Sequence, residues 1–402
     1  MNIGIVTTWF ERGAAYVSRQ FMDVLSKGNN VFIYARGGEA YAIDNPKWNL
    51  PNVHWGKRSE GKSTYIDSTY IVKKDFIKWI KSNEIEAVLF NEQRWYEPLL
   101  WCKEYKIKTF AYIDYYTEET IPLFDIYDCL ICNTKRHHFA FKEHKNAQYL
   151  KWGTDISLYR PSTEEHEKLT FFHSAGMAPI RKGTDFVIEA FYNTPERQKG
   201  KLIIHTQISL EKSIPSQKER IEELLKEGTL EIIEKTVSAP GLYYMGDIYV
   251  YPSRLDGIGL TLMEGIASGL ACITIDNAPM NEFIEKDFGK VCEVDYYYSR
   301  QDGYYWPMAT ASTESLKNIF NDFLKGEYDV ERMKKAARKY AVKELDFSKN
   351  CEKLNDIMHD TEFTPADSNI VSKIKRFDNC GLKRLGRYIY PIHNIKKMLK
   401  RK

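Results

Sequence analysis

The sequence predicts an α/β protein of two doubly wound domains, and three observations carry that expectation. Short apolar, β-prone runs alternate with amphipathic runs of helical period along most of the chain, the pattern of strand–helix units around parallel sheets. The chain opens on one such unit: a strand over residues 2–8, a helix from about Ala14 to Lys27, and a strand from Val31 to Ala35. Its 402 residues exceed what one core usually organises, so two domains are expected.

In the opening helix Val17, Phe21, Val24 and Leu25 form one apolar stripe, and Gly28 ends it. The turn before it, Glu11-Arg12-Gly13, follows the first strand, where doubly wound sheets bind ligands; it also reads as a plain helix start. Residues 36–63 are polar and long for a connection. A helix is expected at Tyr70–Lys81, and strands at Ala87–Phe90 and Lys108–Ile113. Asp114 comes next, placed either to contact ligand hydroxyls or to cap the following helix, while Glu118 and Glu119 read as a solvated first turn. Cys129 and Cys132 have redox spacing but lie inside an apolar strand, so core packing is expected. His137 and His138 are adjacent on a probable helix and point apart, which argues against a shared metal. The polar run Ser162–Lys168 reads as a linker. Beyond it the pattern gives a strand at Leu169–Ser174, a helix at Thr184–Tyr192, a strand at Leu202–His205, a helix at Lys218–Lys226 and a strand at Leu230–Ile233. Residues Arg300–Thr313 read as an aromatic loop, and helices follow at Glu314–Leu324, Val330–Val342 and Phe347–Met358.

The chemistry concentrates between Asp247 and Ile284. A strand at Ile248–Tyr251 leads into the turn Asp256-Gly257-Ile258-Gly259, then a helix at Leu260–Ser268 stopped by Gly269, and a strand at Ala271–Ile275. Glycines let backbone approach a ligand closely, and the N–H groups from Gly257 to Leu260 open a helix that attracts anions. Asp256 and Glu264, with seven residues between them, are badly placed to hold phosphate and well placed to accept bonds from sugar hydroxyls. An ordinary helix with an acidic first turn would read the same way. Arg181 and Lys182 form a basic turn after a strand, suited to a diphosphate or simply solvated.

Two acids with seven residues between them, Gly259-Leu260 among those seven, then Ala267-Ser268-Gly269, an apolar strand and Glu282 together resemble the donor-site signature of the family 4 glycosyltransferases. The resemblance implies retaining enzymes of the GT-B fold: two Rossmann-like doubly wound domains facing a central cleft. It divides the chain into an acceptor-side domain at 1–160, a donor-side domain at 161–345, a helix at 346–362 crossing back, and a basic tail at 363–402. It implies that Glu264 holds ribose and that Asp256, where the family usually has Glu, orients the donor sugar. Lys182-Gly183 resembles the family's phosphate-binding Lys-Gly, with Arg181 as a second charge; Met177 stands where the family tends to place Arg. Gly13 stands where the family has a double glycine beside the donor phosphates, and Asp114 where it often has His. The implied catalytic set is Arg181, Lys182, Asp256 and Asp114; the implied nucleotide-sugar contacts are Gly13, Lys182, Gly257, Ile258, Gly259, Leu260 and Glu264. The nucleotide-diphospho sugar is a substrate, with no cofactor and no metal. The likeness covers roughly residues 1–360. The departures at Asp114, Met177 and Asp256 keep a second reading open, a non-catalytic sugar-nucleotide-binding or partner subunit on the same fold. A phosphorylase with a lysine-bound pyridoxal cofactor would be a third class, and nothing singles out its lysine.

Composition narrows the setting. No apolar run reaches membrane-spanning length, and the N-terminus reads as a strand, not a signal. Seven cysteines without framework spacing point to reduced thiols in a cytoplasmic protein. There is no P-loop and no Gly-x-Gly-x-x-Gly after the first strand, which weakens ATPase and dehydrogenase readings. From Ile370 to Lys402 eleven basic residues face a single acid, Asp378, in a chain whose total charge is only +3. Apolar residues recur there at helical spacing, interrupted by Gly381 and Pro391. Such a stretch suits an anionic membrane surface, where a lipid-linked or glycan acceptor would be met during polysaccharide or glycolipid synthesis. A solvated tail or helices packed on the domains fit the pattern as well. No nucleic acid partner is expected.

Overall fold

A computed structural model describes residues 1–38, 40–59 and 66–379. In chain order the strands are β1 (Asn2–Thr7), β2 (Asn30–Ala35), β3 (Val53–Trp55), β4 (Ala87–Asn91), β5 (Lys108–Tyr112), β6 (Cys129–Cys132), β7 (Ala147–Tyr149), β8 (Leu169–Gly176), β9 (Gly200–Thr206), β10 (Leu230–Glu234), β11 (Ile248–Tyr251), β12 (Ala271–Ile275), β13 (Gly289–Cys292), β14 (Val294–Tyr298) and β15 (Met308–Ala311). The α-helices are α1 (Gly13–Leu25), α2 (Lys73–Ser82), α3 (Glu97–Glu104), α4 (Lys135–Ala140), α5 (Pro179–Lys182), α6 (Thr184–Tyr192), α7 (Leu210–Ser213), α8 (Lys218–Glu227), α9 (Leu260–Ala267), α10 (Thr313–Leu324), α11 (Val330–Glu344), α12 (Phe347–Asn350), α13 (Leu354–Asp360) and α14 (Ser368–Asp378). The chain separates into two compact units.

The first unit holds residues 1–133, 137–150 and 351 onward. Its sheet runs β3-β2-β1-β4-β5-β6-β7 with every pairing parallel. A parallel sheet is covered on both faces, so its strands must be apolar throughout. β4 is buried at all five positions and β6 at all four. The stripe read in α1 is the stripe it buries: Val17, Phe21, Val24 and Leu25. Cys129 and Cys132 are buried free thiols whose pKa values burial drives up, to about 12 for Cys129, which disfavours the reactive thiolate. His137 is fully buried and pairs with the Tyr116 hydroxyl at 2.8 Å.

The basic tail begins inside this unit, and its first helix is amphipathic with its apolar side packed on the unit. The apolar residues Ile370 and Ile374 of α14 are buried, and Phe377 packs edge-on to Tyr96. Asp367 caps the helix by accepting from the N–H groups of Asn369 and Ile370 at 2.7 and 2.9 Å. Asp378, fully buried, accepts from the N–H groups of Tyr96 and Glu97 at 2.8 and 2.9 Å and so caps the start of α3. The apolar side of α14 is therefore occupied by the unit's own packing. Residues 380–402, including Leu382, Leu385, Ile389, Ile392, Ile395 and Leu399, lie outside the described residues. Among the described residues no helix is long and apolar enough to cross a membrane.

The second unit holds residues 134–136 and 151–350. Its sheet runs β10-β9-β8-β11-β12-β13, again wholly parallel. The order reverses between β8 and β11, so the connections leaving those two neighbours diverge and open a crevice at their carboxyl ends. α10 and α11 begin on side-chain caps, Ser312 and Asp329. The segment read as a loop at Arg300–Thr313 is half of an antiparallel hairpin, β14 with β15. β14 is exposed at four of its five positions and β15 is only four residues long, so neither carries an apolar alternation long enough to mark it in the sequence.

Candidate active site

The crevice between β8 and β11 is where the expected donor-site residues of this unit gather. β8 ends at Gly176 and the chain turns through α5, a single helical turn whose last two residues are Arg181 and Lys182. Gly183 closes that turn at φ +74°, and a Cβ there would stand 2.2 Å from the Pro252 carbonyl oxygen, so glycine is required twice over. The loop leaving β11 holds α5 from the other side. Arg254 N–H donates to the Arg181 carbonyl at 2.9 Å, and the Ser253 hydroxyl donates to the same oxygen at 3.1 Å. Buried Arg254 is fixed in turn by a bidentate pair with Asp185 at 2.7 and 2.6 Å, over the face of Phe186. His173, buried in β8, completes the frame. Its Nδ1 lies 2.8 Å from the Val250 carbonyl and must be the donor there, which leaves Nε2 to accept from the Thr184 hydroxyl at 2.8 Å. Burial pushes the imidazole down to about 4, so it stays neutral.

Within this frame one carboxylate collects the cations. Lys182 Nζ donates to Asp256 Oδ2 at 2.7 Å and Arg181 Nη1 at 3.0 Å. Tyr251, the last residue of β11, accepts from Lys182 and donates to Asp256. Burial alone would raise the Asp256 carboxyl; Lys182 and Arg181 beside it outweigh that and hold it far below the usual carboxylate range. Burial lowers the Lys182 ammonium, with Asp256 opposing the shift. Asp256, expected to orient the donor sugar, has partners on both of its carboxylate oxygens. Its Oδ2 is engaged by two cations and a phenol, and its Oδ1 accepts from the Gly259 N–H at 3.2 Å. Being one methylene shorter than Glu keeps it against those partners.

Gly259, at φ +71°, is the N-cap of α9 and has no side chain to offer the helix's first N–H groups. Gly257, Ile258 and Leu260 complete this turn. Glu264 stands one turn into α9, and Tyr243 donates to its Oε2 at 2.6 Å. Burial raises the Glu264 carboxyl to about 7, against the hydrogen bonds of Tyr243 and Tyr159. Glu282 accepts from the N–H groups of Lys135 and Arg136, at 2.7 and 3.0 Å, in the short segment of this unit at 134–136. Met177 is 72% exposed, so the position where a second cation is usual carries a solvated thioether. Gly13 and Asp114 belong to the first unit. Gly13 opens α1 after β1, at that sheet's own reversal between β1 and β4, and a Cβ there would meet nothing. Asp114 follows β5 and is half-buried.

Sequence reasoning missed Tyr251, Tyr243, His173 and the Arg254–Asp185 pair. The first three read as strand or turn residues of an apolar core. The fourth joins residues 69 positions apart. A buried strand ending in Tyr immediately before Pro-Ser was the available signal, since a buried phenol needs a partner.

Residues 155–340 match the family described as glycosyl transferases group 1. That match contains α5, Asp256 and Glu264, and so the whole cation–carboxylate cluster. No curated protein sequence matches the chain. Solved structures do. A glycosyltransferase from Rickettsia africae superposes with a TM-score of 0.70 at 14% identity, over 90% of this chain and 98% of the other. Anabaena HepE in complex with UDP gives 0.68 at 13%, over 89% and 99%. The pneumococcal O-GlcNAc transferase GtfA in complex with UDP and GlcNAc gives 0.66 at 12%, over 90% and 99%. These likenesses show the fold, which is GT-B.

Proposed function

We propose that this chain is a glycosyltransferase that moves a sugar from a nucleotide-diphospho sugar to a glycan or lipid-linked acceptor. The observation that carries this reading is the cluster of Lys182, Arg181, Tyr251 and Asp256 at the β8/β11 reversal, beside the uncapped start of α9 and the half-buried Glu264. A departing nucleoside diphosphate develops negative charge on its β-phosphate. Preorganised cations and helix N–H groups stabilise that charge without reorganising at the moment of reaction. Lys182 and Arg181 do this in our reading, in place of a metal ion. Asp256 and Tyr251 set the position of both cations. Glu264 accepts from the ribose hydroxyls in its ionised form. Gly13 and Asp114 are assigned to the donor phosphates and donor sugar on the resemblance. Retention is assigned on the same ground and is read from the anomeric configuration of the product.

The test is turnover. Donor hydrolysis or transfer is measured across UDP-, GDP- and ADP-sugars, with Lys182→Ala as the variant. Loss of one such donor typically costs 10²–10³-fold in kcat, and about that loss is expected. Unchanged kcat in the variant removes Lys182 from the reaction. The engagement of Asp256 with its own cations favours one alternative, a non-catalytic sugar-nucleotide-binding subunit. Binding of a nucleotide sugar with no turnover of any donor, acceptor extracts included, would establish that alternative.

A further inference from the structure

The turn that opens α9 is held by its side chain and, separately, by its main chain. Lys182 and Arg181 hold the Asp256 carboxylate. The Asp256 carbonyl is held by a third cation, Arg136, whose Nη2 donates to it at 2.8 Å. Arg136 stands in the short segment 134–136 of the second unit and is only 6% exposed. Its Nη1 donates to the carbonyl of Ala278, in the loop after β12, so one planar guanidinium bridges that loop and the donor turn. The ring of Trp306 lies 5.2 Å from the guanidinium carbon. Glu282 fixes the root of the side chain, since its two oxygens accept from the main-chain N–H groups of Lys135 and Arg136. Among the described residues Arg136 forms no ion pair, and its buried Nε has no acceptor. A buried cation without a carboxylate lowers stability, and an apolar residue would pack there more favourably.

We propose that Arg136 is a positioning residue for the donor's diphosphate: by holding the Asp256 carbonyl it fixes the Asp256–Gly257 peptide and aims the Gly257 N–H toward the phosphates. The diphosphate is taken from the transferase reading, on which the proposal rests. The carbonyl and the N–H of one trans peptide point in opposite directions, so a carbonyl anchored on Arg136 turns its N–H away from the guanidinium. Glycine on one side of that peptide leaves its rotation easy, and the orientation has to be imposed by a neighbour. A cation on the carbonyl also polarises the peptide and strengthens its N–H as a donor. Arg136 thus acts through one peptide unit on an anion it does not touch, while Lys182 and Arg181 face that anion themselves. A brace of the right shape alone would not do this, because the effect needs both the charge and the fork that reaches two carbonyls.

The test uses the full chain, with UDP, GDP and ADP and the corresponding nucleosides as probes, followed by calorimetry and saturation-transfer NMR. Arg136→Ala is expected to bind the preferred diphosphate roughly tenfold more weakly, the loss of about one charge-assisted hydrogen bond. Its affinity for the matching nucleoside is expected to equal the parent's, because the ribose contact at Glu264 does not pass through this peptide. Added guanidinium ion should restore diphosphate binding to Arg136→Ala, and ammonium ion at the same ionic strength should not. Arg136→Lys keeps the charge, loses the fork and is expected to weaken diphosphate binding as well; it carries the test if the alanine variant fails to fold. Unchanged diphosphate affinity in the variant that folds overturns the proposal. Equal weakening of nucleoside and diphosphate also overturns it, because that is what a merely structural role produces. A parent that binds none of the three diphosphates removes the transferase reading and this inference with it. Diphosphate binding that depends on Arg136, in a chain that turns over no donor, upholds the positioning role and removes the transferase reading instead.

Discussion

Glu264 is the residue whose chemistry is most open to titration. Its folded carboxyl lies near 7, above an ordinary value of 4.5. Between those values the folded chain holds a proton that the unfolded chain releases, so the contribution to stability is full below about 4.5 and is lost as pH rises to about 7. For a half-buried group, screened in part by solvent, this is about 1–3 kcal/mol. Denaturant unfolding at pH 5 and pH 8 should show that difference in the parent and lack it in Glu264→Gln. Ribose hydroxyls need the ionised form, so nucleotide binding should strengthen through pH 7 with release of a proton. Calorimetry in buffers of differing ionisation enthalpy checks this, and proton-neutral binding would count against the ribose role. The acidic pair itself was legible from spacing. Its split was not, because the cations that hold Asp256 down and the burial that lifts Glu264 arise from strands distant in sequence. Lys182 and Asp256 are 74 residues apart, and Tyr251 between them reads as one more apolar strand residue.

At the scale of elements, the unit from Asp247 to Ile284 folds as its pattern indicated, with β11, α9 and β12 within a residue of the expected bounds. Strong apolar runs bounded by Gly and Pro leave little choice of register. α5 was harder. Four residues cannot show helical periodicity, and what makes them a helix is the clamp of Ser253 and Arg254 on the Arg181 carbonyl. Gly183 joins that clamp to the start of α6. Gly183→Ala forces a Cβ against the Pro252 carbonyl in a left-handed backbone, and about 2–4 kcal/mol of destabilisation is expected. The variant should melt lower and lose the nucleotide-induced shift in midpoint, since Lys182 moves with the turn. A variant that keeps both would show that α5 tolerates rearrangement. The β14/β15 hairpin was illegible for a related reason: β14 has no buried face to impose a period of two, and the buried alternation of β15 spans only Ala309 and Ala311.

For the whole molecule, the two sheets were legible because parallel strands buried on both faces cannot be polar. The role of the last described helix was not. Basic amphipathic sequence specifies a face without specifying what covers it, and α14 is covered by α3 and its neighbours. Two truncations separate the parts. A chain ending at Asn379 keeps the Asp378 cap and should retain the parent's thermal midpoint, whereas one ending at Ala366 uncovers the start of α3 and should melt lower by several degrees. Co-sedimentation with anionic liposomes at low salt then reports on residues 380–402 alone, by comparing the full chain with the chain ending at Asn379. Equal partitioning of those two removes tail-driven docking.

The same cap orders events during synthesis. The first unit receives α13 and α14 only after residues 151–350 have been translated. At about 5–20 residues per second the nascent strands β1 to β7 wait roughly 10–40 s for the helices that finish their cover. The second unit, nearly continuous in sequence, needs no such wait. The half that is made first is therefore the half that matures last, and it is the half whose apolar surface a ribosome-associated chaperone would find uncovered.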